Sequence, residues 1–220
     1  MDTEKQKVLV IGANGSTGKI ICNLLKTSSL YIPIAMIRKE SQKEYFENNG
    51  IKTVLGDLEK EFESAMDGIS KIIFAAGSGG STGPEKTIAV DQDGAIKSID
   101  LAQKHTIEKY VMLSSMGAGS PEDFEDSKIH GYLLAKHKAD EHLIKSDLNY
   151  TIVRPGTLTN ETGTGKIEAA KNLGKRGEIS REDVAETLVE VLDSKLASII
   201  SFEMIQGKDE IREALEKLSS

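Results

Sequence analysis

The stretch Val8-Leu9-Val10-Ile11-Gly12-Ala13-Asn14-Gly15-Ser16-Thr17-Gly18 limits the possible folds of this chain more than any other. Four consecutive apolar residues read as a short strand buried on both faces. Glycines follow at 12, 15 and 18, and Ile20, Ile21, Leu24 and Leu25 then recur at helical spacing. Strand, glycine loop and helix in that order form the context in which such a pattern holds a dinucleotide. Gly12 permits the tight turn out of the strand. Gly15 lets backbone approach a pyrophosphate, and Gly18 lets the helix pack close to the sheet. The first N–H groups of the helix have no partner inside it, so Asn14, Ser16 and Thr17 join the three glycines as a candidate phosphate cradle. The spacing is GxxGxxG, and taken alone it also describes a flexible loop. Its place between a β run and an amphipathic helix favours nucleotide binding.

The remaining chain alternates strands with helices. Apolar runs predict strands over Tyr31–Ile37, Ile51–Leu55, Ser70–Ala76, Lys109–Leu113, Tyr150–Val153 and Ser198–Ile205. Helices are expected over Ser41–Asn48, from near Glu59, over Glu85–His105 and over Asp126–Ser146. Two more are expected over Arg181–Leu192, with Ser180 as N-cap, and over Lys208–Leu218. Residues 157–178 lack a clear period and read as a small substrate-side excursion with a short helix near Ile167–Asn172. The pattern predicts an α/β chain: one domain over 1–220, a Rossmann-type doubly wound parallel sheet with helices on both faces.

In such sheets ligands bind beyond the carboxyl ends of the strands. The second strand ends in Arg38-Lys39. A basic residue there pairs with a 2′-phosphate, so the expected cofactor is NADP(H) in preference to NAD(H). The alternative is a solvated pair. After the third strand, Asp57 is placed to accept from an adenine amino group and Leu58 to pack on the ring. Asp57 also suits the cap of a following helix. Ala75, Ala76 and Gly77 are small enough for the chain to pass close to a ribose. The loop from Gly77 to Pro84 is expected to be mobile and to cover the site. Ser114, Ser115, Pro155, Gly156 and Thr157 complete this edge.

Composition narrows the partners. The net charge of −7 over 220 residues argues against a nucleic-acid footprint. The single cysteine, Cys22, allows no intrachain disulfide and reads as a buried, inert thiol. The first residues lack an apolar signal-like core and no later run reaches membrane length, so a cytoplasmic protein with no membrane contact is expected. His130 and His137 stand two turns apart on one expected helix, too far for one ion, and no metal is expected.

Gly12-x-x-Gly15-x-x-Gly18, Arg38, Gly56-Asp57-Leu58, Ala75-Ala76-Gly77, Ser114-Ser115, Tyr132-x-x-x-Lys136 and Arg154-Pro155-Gly156 occur in one order along nearly the whole chain. The pattern resembles the short-chain dehydrogenase/reductase superfamily. It is most similar to the small atypical members of NAD(P)H-binding or epimerase/dehydratase type, near NmrA-like and flavin-reductase-like proteins. The resemblance implies that Tyr132 is the acid or base, that Lys136 tunes it and holds the cofactor ribose, and that Ser115 orients a substrate oxygen. Residues four apart share a helix face, and an ammonium beside a phenol favours its ionised form. Two departures stand out. Val90-Asp91-Gln92-Asp93-Gly94 lacks the asparagine usual in relatives, and Met116 follows where many have a third serine. The resemblance implies an oxidoreductase or epimerase-like enzyme on a small carbonyl or hydroxyl compound. The departures leave open a non-catalytic NADP(H) sensor with a protein partner, or an NADPH-dependent flavin reductase.

Overall fold

A computed structural model of the chain describes residues 4–79, 83–193 and 195–218. Gly80-Ser81-Thr82, the middle of the loop expected to cover the site, lie outside the described residues, as do Met1-Asp2-Thr3. The elements of the first half are β1 (Gln6–Ile11), α1 (Ser16–Thr27), β2 (Tyr31–Ile37), α2 (Lys43–Asn48), β3 (Lys52–Leu55) and β4 (Lys71–Phe74). There follow α3 (Pro84–Lys86), a π-helical segment (Thr87–Gly94), α4 (Ala95–Lys104), β5 (Lys109–Leu113) and α5 (His130–Ile144). The last part holds β6 (Tyr150–Pro155), β7 (Thr157–Thr159), β8 (Lys166–Ala170), β9 (Glu178–Ser180), α6 (Arg181–Glu190), β10 (Ile200–Gln206), β11 (Asp209–Glu210) and α7 (Ile211–Leu218).

The central strands send their side chains alternately into two cores. In β1, Val8 and Val10 face one core and Leu9 and Ile11 the other. Val111 in β5 and Val153 in β6 join the first core, while Met112 and Ile152 join the second. Burial on both faces explains why these runs are apolar without interruption. Helices α1, α6 and α7 cover the first face, and α4 and α5 the second. Strands β3-β2-β1-β4-β5-β6-β10 run parallel, in that order. The chain reverses its direction of travel across the sheet between β1 and β4, and the crevice beyond their carboxyl ends is where such folds take ligands.

Three expectations are corrected. No helix begins near Glu59. The Asp57 carboxylate accepts the Glu59 N–H at 3.1 Å, closing a local turn, and a 3-10 turn follows at Glu63–Met66. The long helix expected to start at Asp126 begins at His130, after a 3-10 turn at Pro121–Phe124. The segment near Ile167–Asn172 is strand β8. It pairs antiparallel with β10, Gln206 opposite Ile167, and Ile167 is fully buried there. Glu168, Ala169 and Ala170 favour helix locally, but the open side of β10 supplies hydrogen bonds that outweigh this preference.

Other expectations hold. Ser180 caps α6, its hydroxyl accepting the Asp183 N–H at 2.9 Å. Cys22 is buried, and burial pushes its thiol up to about 12, so it stays protonated. At the opposite end of the sheet, buried Lys71 and Lys109 donate to Leu192 O (2.7 Å) and Asn149 Oδ1 (3.0 Å). Burial, and then the charge of Lys71, push Lys109 down to about 8. Among the described residues no helix is long and apolar enough to cross a membrane.

Candidate active site

The glycine loop brings the ends of β1 and β4 into contact. Gly12 has φ +85°, and a Cβ there would lie 2.5 Å from Ala76 N. A Cβ on Gly18 would strike Gly12 O, so α1 can start only where this residue has no side chain. Gly15 is the N-cap of α1 and no side chain caps it, which leaves the first N–H groups of the helix open.

A cavity of about 480 Å³ lies in front of this loop. Gly12, Asn14 and Gly15 line one end, and Arg38, Asp57 and Leu58 the other. Ala75, Ala76 and Gly77 close its side. Ser16, Thr17 and Gly18 open α1 and do not line it, and neither does Lys39. Gln42 lines the cavity too, and nothing in the sequence reading singled it out. Its Oε1 accepts the N–H groups of Arg38 (2.8 Å) and Lys39 (3.1 Å), fixing the turn that carries Arg38. An amide side chain four residues beyond a strand-end arginine is the signal that was available. Lys86 and Glu59 pair at 2.6 Å across the wall.

The acid–base candidates stand on α5. Tyr132, Lys136 and Asp140 are four residues apart and share a face. Lys136 Nζ lies 5.8 Å from the Tyr132 ring centre. It donates to Ala76 O (3.3 Å) and Leu113 O (3.4 Å) and lies 3.1 Å from Asp91 Oδ1. Burial works against the charge on Lys136. Tyr132, Asp91 and Asp140 outweigh that and hold its pKa above the usual lysine value. Burial pushes the Asp140 carboxyl up, while Arg154, Ser114 and Lys136 pull it down, and burial prevails. Asp140 Oδ2 accepts from Ser114 Oγ (2.8 Å) and Arg154 Nε (2.9 Å).

Ser114 follows β5 at the carboxyl edge of the sheet, where the cofactor is expected. Its hydroxyl is donated to Asp140 and the residue is buried. Ser115 is half-buried, and its hydroxyl makes a long 3.4 Å contact to Met116 O. Pro155 ends β6, Gly156 backs onto Gly177 O, and Thr157 opens β7 on an exposed position. The sequence reading missed Asp91 and Asp140 as parts of the cluster. Asp140 continues the four-residue spacing of Tyr132 and Lys136, which is where it was legible.

A second cavity of about 730 Å³ adjoins the first across Gly77 and Ser78. It opens between the π-helical segment and α5, with Tyr132, Ile88, Ile129 and Leu134 on its walls and Asp91 at its base. His130 and His137 contact Pro121 O (3.1 Å) and Ala118 O (2.8 Å), and among the described residues no three His, Cys, Asp or Glu gather to hold a metal. Open helix N–H groups, small residues where β1 and β4 end and an arginine on the cavity wall together fit a dinucleotide.

The chain matches the model of a family described as NAD(P)H-binding over residues 12–195. It is 45% identical over 215 residues to "Uncharacterized sugar epimerase YhfK" of Bacillus subtilis, covering 96% of this chain and 100% of that protein. Among solved structures it is similar to a protein of NAD-dependent epimerase/dehydratase type from Bacillus halodurans, at 37% identity and TM-score 0.91, with 97% and 100% of the two chains covered. It is also similar to the oxidoreductase ylbE of Lactococcus lactis, at 32% identity and TM-score 0.85, covering 97% and 96%.

Proposed function

This chain belongs to the NAD(P)H-binding family of oxidoreductase- and epimerase-like proteins, and from that premise we propose an NADPH-dependent enzyme acting on a small carbonyl or hydroxyl compound with Tyr132 and Lys136 as its acid–base pair. The observation that carries this reading is the buried Lys136 ammonium beside the ring of Tyr132, which lines the second cavity. When bound, a nicotinamide supplies or takes up hydride. Tyr132 then gives or removes the proton on the substrate oxygen, which Ser115 orients. Lys136 holds positive charge near the phenol. The open N–H groups of α1 hold the pyrophosphate, and Arg38 holds a 2′-phosphate.

Two variants test the parts separately. Tyr132→Phe should lower kcat by about 10²- to 10⁴-fold with NADPH affinity nearly unchanged. Unchanged turnover would take the tyrosine out of the mechanism. Arg38→Ala removes a charged hydrogen-bond donor. NADPH binding, read by calorimetry, should weaken roughly 10- to 100-fold, while NADH binding stays near its original strength. An equal loss for both cofactors would refute a 2′-phosphate contact.

A second reading draws on Lys136 itself. Asp91 and two carbonyls already surround its ammonium, which suits a non-catalytic NADP(H) sensor. That reading expects NADP-selective binding with no turnover on a carbonyl and flavin panel. A flavin reductase would instead reduce free flavin and survive Tyr132→Phe.

A further inference from the structure

Residues Thr87–Gly94 wind as a π-helix between α3 and α4. Such turns are rare and cluster at functional sites. The side chain turned inward here is that of Asp91, which is fully buried. Its Oδ2 accepts the Ser78 N–H at 2.9 Å, and its Oδ1 lies 3.1 Å from Lys136 Nζ. The Oδ1 contact is an ion pair without hydrogen-bond geometry, so that oxygen keeps unused acceptor capacity. A Cβ on Gly77 would come within 3.2 Å of the same oxygen. One carboxylate therefore touches both the lysine and the loop that divides the two cavities.

Other groups surround Lys136. Tyr132 and Asp140 face it from α5, and the Phe74 ring from β4 lies 6.0 Å away. The carbonyls of Ala76 and Leu113 approach from the strand ends. Arg154 of β6 stands beyond Asp140 and engages its Oδ2. Asp91 is the carboxylate in ion-pair contact with the lysine, whereas Asp140 is committed to Arg154 and Ser114.

We propose that Asp91 is a positioning residue: it keeps Lys136 a fixed cation and ties it to the Ser78 rim, so that both halves of the groove are held as one unit. This rests on the reading of the groove as the dinucleotide site with Lys136 at its inner end. A buried ammonium deprived of its carboxylate favours the neutral amine. Asparagine at position 91 preserves an acceptor for the Ser78 N–H but removes the charge, and alanine removes both.

The test uses the full chain with ¹³C-labelled lysine, titrated from pH 7 to 9.5. The Lys136 Cε resonance is assigned by its loss in Lys136→Met. NADPH binding is read by fluorescence on the same samples. The wild type should keep Lys136 charged throughout, with less than threefold change in affinity. Asp91→Asn should let Lys136 lose its proton within this range, and NADPH affinity should fall about tenfold as it does. Asp91→Ala should in addition bind NADPH more weakly at pH 7. A lysine that stays charged in Asp91→Asn, with affinity flat in pH, overturns the proposal. A shifted lysine titration in a protein that binds no NADPH supports the hold of Asp91 on Lys136 and overturns the nucleotide reading instead.

Discussion

Arg154→Met is expected to destabilise the fold by about 3–5 kcal/mol, because it leaves the Asp140 carboxylate buried without its cation. Asp140 is fully buried and Arg154 nearly so, with Nε 2.9 Å from Oδ2. Once the guanidinium is gone, the Ser114 hydroxyl is the remaining direct donor, and Oδ1 already lacks a partner. For a chain of this length the loss corresponds to a fall in Tm on the order of 10 °C. The deficit should depend on pH. Burial already raises the folded Asp140 pKa above its ordinary value, and losing Arg154 raises it further. The folded state then binds more protons than the unfolded state between the two pKa values, so stability falls as pH rises through that interval. Urea unfolding should show a smaller deficit at pH 5 than at pH 7. A paired replacement, Arg154→Met with Asp140→Leu, should recover most of the loss, since no charge remains to be buried. A deficit equal at both pH values would mean that lost packing dominates.

Gly12→Ala should severely weaken dinucleotide binding and cost stability as well. The φ of +85° alone costs an alanine about 1–3 kcal/mol. The added methyl would also meet Ala76 N at 2.5 Å and Ala75 C at 2.6 Å, both backbone atoms that can yield only if the ends of β1 and β4 separate. These ends form one wall of the groove, so NADPH affinity should drop by about 100-fold or more, a loss of about 2.7 kcal/mol. Gly15→Ala is the control. Gly15 has φ −69°, and its nearest neighbour, Gly12 O, would be 3.3 Å from the new methyl. That variant should fold with Tm nearly unchanged and lose affinity only through crowding at the open helix end. Equal melting temperatures for Gly12→Ala and the wild type would refute a rigid contact between the ends of β1 and β4.

Elements buried on both faces were legible in the sequence because their residues report their own environment. β2 and β5 fall on Tyr31–Ile37 and Lys109–Leu113, the spans that their apolar runs mark. The π-helical turn was not legible, since the apolar residues from Ile88 to Leu101 read as one ordinary helix. β8 was hidden for the opposite reason: Lys166–Ala170 is a strand only because β10 lies beside it. The glycine loop, Arg38, Asp57 and Tyr132-x-x-x-Lys136 were visible through local spacing. In the sequence Asp91 shows only as a missing asparagine, because its meaning depends on Lys136, far along the chain. Arg154 stands in Arg-Pro-Gly with no partner nearby in the sequence, for the same reason: its partner, Asp140, lies on another element.

The strand formed by the irregular excursion also covers an edge of the sheet. An uncovered strand edge is a template for another chain. β10 is seven residues long and carries buried Phe202 and Met204, and without β8 its outer edge would present a row of unpaired backbone groups. With β8 in place the sheet ends on the two-residue β11 on one side and the four-residue β3 on the other. Edges this short offer little register for a further strand to follow. Deletion of β8 would therefore expose the long edge of β10, and the expected consequence is association between copies.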